Sequence, residues 1–288
     1  MPYGKSIELF LVNGTADSLT TAELSNWNGK AIKIPRIEVP GCMREDIQQP
    51  GVYFLFCKED DNSDAVYIGE AENVRERLLQ HIRDYQADKE AYYWNTAVIF
   101  TGRDLNKALI RYLENGFVQT VRKNNRCKVL TKSTFQNTVL KESHIAAMDE
   151  FSDNVKILMG ALGYRLLEPL VQSDSEADAP QNPLLYLTSG NASARGRVTT
   201  EGFVMLKGST VSSRDNAPSL SPGMAALRTS LMNSSKVINH CTAEDILFTS
   251  SSAAADFALG FSASGPAYWK TADGTTLKQL EAAATSED

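Results

Sequence analysis

A tyrosine and a glycine occur together twice in one short stretch, a pairing that could serve acid–base chemistry. The first triplet is Gly51-Val52-Tyr53 and the second is Tyr67-Ile68-Gly69. A tyrosine hydroxyl can position a water, or accept its proton where nearby positive charge lowers the tyrosine pKa. A glycine such as Gly69 lets another backbone or a ligand approach closely. The run FLFCKEDDNSDAV between the triplets predicts a β-hairpin.

The stretch after the second triplet predicts a helix that turns two polar side chains toward the sheet. Its apolar stripe repeats at helical spacing and consists of Val74, Leu78, Ile82 and Tyr85. His81 lies within this stripe, and Arg77 lies at its edge, four residues away on the same face. The Arg77 guanidinium matches phosphate oxygens. His81 is either part of a site or a core histidine with its hydrogen bonds satisfied.

A second predicted helix, roughly residues 105–123, carries a carboxylate among apolar neighbours. Glu114 has Ile110, Phe117 and Val118 at helical spacing and Arg111 one turn before it. Burying a carboxylate is costly unless a cation compensates its charge. The pattern therefore predicts a bound metal or a buried arginine beside Glu114.

In this order, and on these predicted elements, the residues resemble the GIY-YIG nuclease family over about residues 51–131. The resemblance implies a metal-dependent endonuclease that hydrolyses phosphodiester bonds, in DNA more than in RNA. It implies that Glu114 holds one Mg²⁺ or Mn²⁺, that Arg77 binds the scissile phosphate, and that Tyr53 acts as base or positions the water. Tyr67 and His81 complete the implied catalytic set.

Two features complicate this assignment. An ordinary tyrosine pKa near 10 is too high for a base at neutral pH, so Arg77, His81 and the metal would have to supply positive charge. Family members also usually carry an asparagine after the metal-binding glutamate. Asn124 and Asn125 are candidates by distance, but Thr131 stands where related sequences often have it. The alternative is a catalytically degenerate nucleic-acid-binding or scaffold protein that keeps the GIY-YIG fold.

The charge of the chain is unevenly distributed. Its net charge is −6, which argues mildly against nonspecific nucleic-acid binding, but eight basic and two acidic residues lie between Arg103 and Lys132. The predicted nucleic-acid-binding residues are Arg111, Arg122, Lys123, Arg126 and Lys128 in this segment, together with Gly69 of the second triplet. An ordinary solvated helix face is the alternative interpretation.

Composition favours a globular protein of one or two domains. The 288 residues are 42% hydrophobic and 22% charged. The four cysteines show no CxxC spacing, which favours reduced thiols over a zinc cluster or a disulfide framework. We expect no membrane segment and a cytoplasmic location. The sequence does not indicate an oligomeric state.

The fold class predicted from the sequence is α+β, with a small mixed or antiparallel sheet flanked by helices and a second small α+β domain behind it. The expected parts are a strand and helix extension at 1–50, the GIY-YIG-like module with a covering helix at 51–168, a linker at 169–183 and an accessory domain at 184–288. The extension contains a helix predicted around Thr21–Trp27. Asp104 is the predicted N-cap of the Glu114 helix.

The accessory domain resembles a small uncharacterised domain that often follows GIY-YIG modules in bacterial proteins. Helices are predicted over Pro222–Met232 and from Ser250 or Ser251 to Gly260. The resemblance implies co-occurrence and no chemistry. We expect this domain to place the module on a substrate or on a protein partner.

Overall fold

The computed structural model describes residues 3–60, 62–134, 139–171 and 183–285. The chain forms two compact units, residues 1–169 and 170–288. Both units combine strands and helices around hydrophobic cores of their own, so the predicted α+β fold class is confirmed. The boundaries at 50 and 168 stay predictions, and residues 172–182 of the predicted linker lie outside the described residues.

A mixed sheet of seven strands organises the first unit. The strands are β1 (Ile7–Leu11), β2 (Thr20–Leu24), β3 (Gly29–Pro35), β4 (Gly51–Lys58), β5 (Asp64–Ala71), β6 (Trp94–Gly102) and β7 (Lys128–Val129). Their order across the sheet is β1-β2-β3-β6-β4-β5-β7. β7 runs parallel to β5, and the other neighbours are antiparallel. The predicted hairpin is thus β4 and β5.

The helix predicted around Thr21–Trp27 is wrong, because this segment forms β2. Its backbone pairs with β1 on one side and with β3 on the other. Thr20 and Thr21 are β-branched, which suits a pleated surface with neighbours on both sides. The N-terminal strands therefore continue the sheet that holds the β4–β5 hairpin.

Three helices cover the two faces of this sheet: α1 (Val74–Gln86), α2 (Lys107–Asn124) and α3 (Glu142–Ala161). Successive residues of a strand point to opposite faces. Phe54 and Ile68 accordingly join the core formed with α2 and α3, whereas Tyr53 joins the core formed with α1. Tyr67 packs against the α1 side as well.

Asparagines begin the two helices that carry the predicted site. The Asn73 side chain accepts a hydrogen bond from the Glu76 amide at the start of α1. Asn106 accepts from two amides at the start of α2, so the predicted N-cap Asp104 is wrong. α3, the predicted covering helix, ends just before Gly163, whose φ of +91° suits a residue without a Cβ.

The second unit is built on a separate four-stranded sheet. Its strands are β8 (Leu185–Ser189), β9 (Ala192–Thr199), β10 (Gly202–Met205) and β13 (Ile246–Phe248), with a two-stranded pair β11 (Val237–Ile238) and β12 (Cys241–Thr242). Its helices are α4 (Pro222–Met232), α5 (Ser251–Leu259), α6 (Gly265–Tyr268) and α7 (Leu277–Ala284). Both predicted helices are confirmed, with Ser250 and Gly260 as the caps of α5. Within the described residues no helix is long and apolar enough to cross a membrane.

Candidate active site

Four of the five side chains predicted to be catalytic line one open cleft of about 600 Å³ in the first unit. They are Tyr53, Tyr67, Arg77 and Glu114. The short strand β7 pairs only with residues 65 and 66, so it leaves the second half of β5 near the rim of the sheet. There α1 and α2 flank β5 from opposite faces, which lets a side chain from each helix reach the same cleft.

Gly69 allows the two tyrosines to pack beside each other. It lies directly opposite Tyr53 in the β4–β5 register. A Cβ at this position would overlap the Tyr53 hydroxyl, lie 2.6 Å from the ring carbon that bears it, and lie 2.9 Å from the Tyr67 ring. The rings of Tyr53 and Tyr67 stack with 6.3 Å between their centroids. Glycine is therefore required here for space, since its backbone dihedrals are not unusual.

His81 lies behind Tyr53, on the side away from the cleft. Its ring is fully buried, and Nε2 is 3.0 Å from the Tyr53 hydroxyl oxygen. The second ring nitrogen, Nδ1, is 2.6 Å from Oε1 of Glu90. Sequence reasoning missed Glu90, because it follows α1 in a loop nine residues after His81 and carries no local signal.

The two tyrosines are held in their neutral form. Burial raises the pKa of Tyr53 well above its ordinary value, and burial also raises the pKa of Tyr67. The Arg77 guanidinium interacts with both hydroxyls and opposes these shifts. At neutral pH Tyr53 is therefore a hydroxyl that can donate one hydrogen bond and accept others.

His81 does not supply the positive charge that the sequence analysis expected. Burial, with the charges of Arg77 and Arg36, lowers the pKa of His81 to about 3. The Glu90 contact favours the protonated ring, but the cost of burying a charge prevails in the resting site. His81 is thus a neutral imidazole at pH 7, and the expectation that it lowers the Tyr53 pKa through its charge is wrong.

Glu114 is a nearly buried carboxylate, with 6% of the residue exposed. Burial, reinforced by the negative charge of Glu70, raises its pKa to about 7, against the opposing charges of Lys107 and Arg111. Among the described residues its Oε2 atom has no hydrogen-bond partner. Glu70 takes the nearest cations instead, with Lys107 Nζ at 2.8 Å and Arg111 Nε at 3.7 Å from its oxygens.

This carboxylate suits a hard divalent cation. Mg²⁺ and Mn²⁺ prefer oxygen ligands, and Mg²⁺ keeps several waters, so that one carboxylate is enough to hold it. The unpartnered Oε2 of Glu114 offers such a ligand at the wall of an open cleft. No group of three or more histidine, cysteine, aspartate or glutamate side chains that could hold a metal occurs in the described ranges. The donor set therefore fits a lightly liganded ion rather than an all-protein cage.

The predicted nucleic-acid-binding cations do not gather at the cleft. The Arg122 guanidinium donates to the carbonyl of Thr131 at 2.5 Å. Arg126 donates to the carbonyls of residues 168 and 169. Lys128 pairs with Glu59 at 2.5 Å, near the far end of the β4–β5 hairpin. These three cations hold parts of the first unit together, and their role toward phosphate stays a prediction.

Two other predicted cations are placed differently. Arg111 lies beside Glu70, which lines the cleft, but Arg111 is not itself a cleft-lining residue. Lys123 is exposed near the end of α2. The structure adds five charged residues to the cleft that sequence reasoning did not select as site residues: Glu70, Glu72, Glu76, Arg83 and Lys107. Glu70 directly follows the second triplet, and that position was the available signal.

Neither candidate asparagine points to the cleft. Asn124 donates to the backbone carbonyl of Leu166 at 3.1 Å. Asn125 forms the left-handed C-cap of α2, with φ of +50°. The Thr131 hydroxyl bonds both backbone groups of Ile68, at 2.8 Å and 2.7 Å, and so fixes the centre of the second triplet. Thr131 thus has a structural contact at the strand that carries Tyr67.

The site residues lie within a recognisable family domain. Residues 49–127 match the family model described as the GIY-YIG catalytic domain. The first unit carries a GIY-YIG nuclease domain. Residues 185–281 match the model described as a domain of unknown function, DUF4357. Searches against curated proteins and against solved structures gave no match. The predicted architecture, a GIY-YIG module followed by a small uncharacterised domain, is therefore confirmed.

The GIY-YIG domain contains every residue predicted to be catalytic. Tyr53, Tyr67, Arg77, His81 and Glu114 all fall inside the matched range. The family is one of nucleases, so the site belongs to a domain associated with phosphodiester hydrolysis and with nucleic acid.

Proposed function

We propose that this protein is an endonuclease that hydrolyses phosphodiester bonds of DNA with Mg²⁺ or Mn²⁺ as cofactor. The supporting observation is the convergence of Tyr53, Tyr67, Arg77 and Glu114 in one open cleft, with a carboxylate oxygen of Glu114 left without a partner. Hydrolysis needs a positioned water and positive charge beside the phosphoryl oxygens. These four side chains have the types that both tasks require.

Each side chain has a role in this proposal. Arg77 binds the scissile phosphate through its guanidinium, and Glu114 holds the cation. When bound, the cation supplies charge that offsets the charge developing on the phosphoryl oxygens. Tyr53 accepts a hydrogen bond from the attacking water and aims the water's free lone pair at phosphorus, and Tyr67 packs against Tyr53 to fix its ring. The water oxygen forms the new bond to phosphorus as the bond to the 3′ oxygen breaks.

The decisive assay is nicking of supercoiled plasmid in the presence of Mg²⁺. We expect the wild type to nick and Glu114→Gln to lose nicking, because the amide cannot replace the carboxylate as a ligand. Arg77→Lys should also be slow, since lysine lacks the forked guanidinium. Asp46→Asn is the matched control, a half-buried carboxylate paired with Arg44 away from the cleft. Equal nicking by wild type and Glu114→Gln would contradict the proposal.

A DNA-binding protein without catalysis is the second candidate. The observation that favours it is that neither Asn124 nor Asn125 is among the residues that line the cleft. Fluorescence anisotropy with a labelled duplex separates the two functions. Binding that Arg77→Ala weakens, without nicking by wild type in Mg²⁺ or Mn²⁺, would favour the binder.

The proposal extends to the second unit and to the cellular location. We propose that the DUF4357 domain places the nuclease domain on its substrate or on a protein partner. Comparing DNA affinity of the full chain with that of residues 1–171 tests the substrate role, and an unchanged affinity points to a protein partner. All four cysteines are free, which agrees with a cytoplasmic protein.

A further inference from the structure

We propose that Glu90 is a positioning residue that holds His81 as acceptor of the Tyr53 proton. This inference deepens the nuclease function proposed above and rests on it. The three side chains form a continuous line, with 3.0 Å from the Tyr53 hydroxyl oxygen to Nε2 and 2.6 Å from Nδ1 to Oε1 of Glu90. Tyr53 faces the cleft, and Glu90 is at the other end, with 15% of its side chain exposed.

Glu90 determines which atom donates and which accepts in each of these two hydrogen bonds. A neutral imidazole has one nitrogen that donates and one that accepts, and an ionised carboxylate can only accept. Nδ1 of His81 must therefore carry the hydrogen and donate it to Glu90. Nε2 is left as the acceptor, so the Tyr53 hydroxyl donates to it.

The surrounding groups keep the His81 ring in place. The ring is fully buried and meets the Tyr53 and Tyr67 rings edge-on, at centroid distances of 5.7 Å and 5.1 Å. Such packing prevents the ring from turning its other nitrogen to Tyr53. The orientation of His81 is thus set by packing, and its tautomer is set by Glu90.

Two arginines lie near the line formed by Tyr53, His81 and Glu90, and their positive charges act on His81. Arg77 acts on His81 from four residues earlier in α1, and Arg36 acts on it from a short 3₁₀ turn at residues 36–38. Arg36 is 6% exposed and lies over three aromatic rings, at 5.2 Å from Tyr85, 4.6 Å from Tyr93 and 4.8 Å from Trp94.

Glu90 is an acidic residue that interacts with both of these arginines. Burial raises the pKa of Glu90 above its ordinary value, as does the charge of Asp84, while Arg77, Tyr92 and Arg36 oppose this rise. The Oε2 atom of Glu90 has no partner among the described residues. In its ionised form, Glu90 places a negative charge 2.6 Å from a ring nitrogen of His81, which would become positive on accepting a proton.

The chemical step balances without a free phenolate. One O–H bond of the attacking water breaks and its proton passes to the Tyr53 oxygen, while the Tyr53 proton passes to Nε2 of His81. The water oxygen bonds to phosphorus, and the bond from phosphorus to the 3′ oxygen breaks. Its electron pair stays on the 3′ oxygen, which takes a proton from solvent in the open cleft. His81 becomes an imidazolium, which the Glu90 carboxylate stabilises. Because Tyr53 gains a proton as it gives one up, its high pKa is no obstacle to this route.

Nuclear magnetic resonance of ¹⁵N-labelled histidine tests the positioning directly, without DNA or metal. The chain has three histidines, and His144 and His240 are exposed, so His144→Gln and His240→Gln variants leave the His81 signals identified. At pH 8 we expect His81 of the wild type in the single tautomer that carries hydrogen on Nδ1. Glu90→Gln should keep this tautomer through its amide oxygen, whereas Glu90→Leu should lose it.

Kinetics of plasmid nicking then test the consequence for catalysis. We expect kcat to fall at least ~10-fold in Glu90→Leu, a part of the ~10²–10⁴-fold that acid–base catalysis contributes. Glu90→Gln should fall between wild type and Glu90→Leu, because it keeps the hydrogen bond but not the charge. KM should change little, and Asp46→Asn, of similar exposure, should leave both constants unchanged.

The outcomes separate this inference from the nuclease function. Hydrogen on Nε2 in the wild type, or an unchanged tautomer in Glu90→Leu, would overturn the positioning role. An unchanged kcat in Glu90→Leu would overturn its catalytic consequence. If the wild type does not nick any DNA, the proposed function fails, while the tautomer measurement still decides what Glu90 does to His81.

Discussion

Replacing Glu114 by glutamine should stabilise the metal-free protein while it removes catalysis. Burial and the charge of Glu70 raise the pKa of Glu114 from 4.5 to about 7. The folded state therefore holds this proton more tightly than the unfolded state does. Between pH 4.5 and about 7 the unfolded chain has already lost this proton while the folded chain still holds it. The contribution of Glu114 to stability therefore falls as pH rises through this range, and above it stays level.

The size of the effect follows from the same shift. At ~1.36 kcal/mol for each pH unit, a difference of roughly 2.5 units corresponds to about 3 kcal/mol. Because Glu114 is only 6% exposed, solvent screening reduces this figure little. Above pH 7 the wild type carries the whole cost of the buried charge, and Glu114→Gln does not.

Urea unfolding in a chelating buffer at pH 4.5, 6, 7 and 8 measures this difference. We expect the stability of Glu114→Gln relative to wild type to increase with pH, by about 3 kcal/mol between pH 4.5 and pH 7. Mg²⁺ should narrow the gap, because an ion that binds only the folded wild type stabilises it by mass action.

Glu70→Gln is the matched control, because Glu70 is a second buried carboxylate in the same cleft. Its side chain is 4% exposed, but it pairs with Lys107 and Arg111. Removing one partner of such a pair is destabilising. The two substitutions should therefore change stability in opposite directions. A Glu114→Gln protein that is no more stable than wild type at pH 8, or a difference that does not change with pH, would refute the reasoning.

Three further predictions concern the groups around the cleft. Gly69→Ala should cost about 1–3 kcal/mol in urea unfolding and abolish nicking, because the new Cβ would overlap the Tyr53 hydroxyl. Thr131→Val should cost about 1–3 kcal/mol, since it leaves both backbone groups of Ile68 without the bonds that the hydroxyl makes. The His81 contribution to stability should decrease as pH falls below 6.5, opposite to the Glu114 contribution, because the pKa of His81 is lowered to about 3 in the fold and the unfolded chain takes up the proton first. At pH 4.5 this loss amounts to at most roughly 2.7 kcal/mol, and the pH dependence of His81→Gln isolates it from that of other groups.

Each of these predictions has a control in the same unit. Gly116→Ala should be stabilising, because Gly116 lies in α2 with nothing within 4 Å of an added Cβ. Thr131→Ser keeps the hydroxyl and should retain most of the stability. Gly69→Ala with normal nicking, Thr131→Val as stable as Thr131→Ser, or a His81→Gln protein with the acid sensitivity of wild type would contradict the respective prediction.

Local patterns predicted the elements that carry their own signals. The β4–β5 hairpin, α4 and α5 all have turn residues or caps that belong to the element itself. β2 was mistaken for a helix because Thr20 and Glu23 resemble the start of one, and only pairing with strands on both sides decides the matter. The register of β2 depends on its pairing with residues of the two neighbouring strands, which a helical pattern within one segment does not take into account.

Local sequence patterns likewise predicted some of the site residues and missed others. Tyr53, Tyr67, Arg77 and Glu114 could be selected from their types and order, and the structure brings them to one cleft. Glu90 could not be selected, because its relation to His81 exists only once the loop after α1 folds back to the ring. The charge state of His81 could not be inferred either, since burial is a property of the folded chain.

The placement of β6 between β3 and β4 governs the order in which the sheet can assemble. Gly29 pairs with Gly102, so β3 finds its partner only after roughly 70 further residues have been made. At ~5–20 residues per second, the first three strands emerge from the ribosome and wait several seconds as an unprotected edge. The nuclease hairpin can close during that interval. The first three strands can thus join the rest of the sheet only after β6 has been made, and a protein truncated before β6 would present them for aggregation.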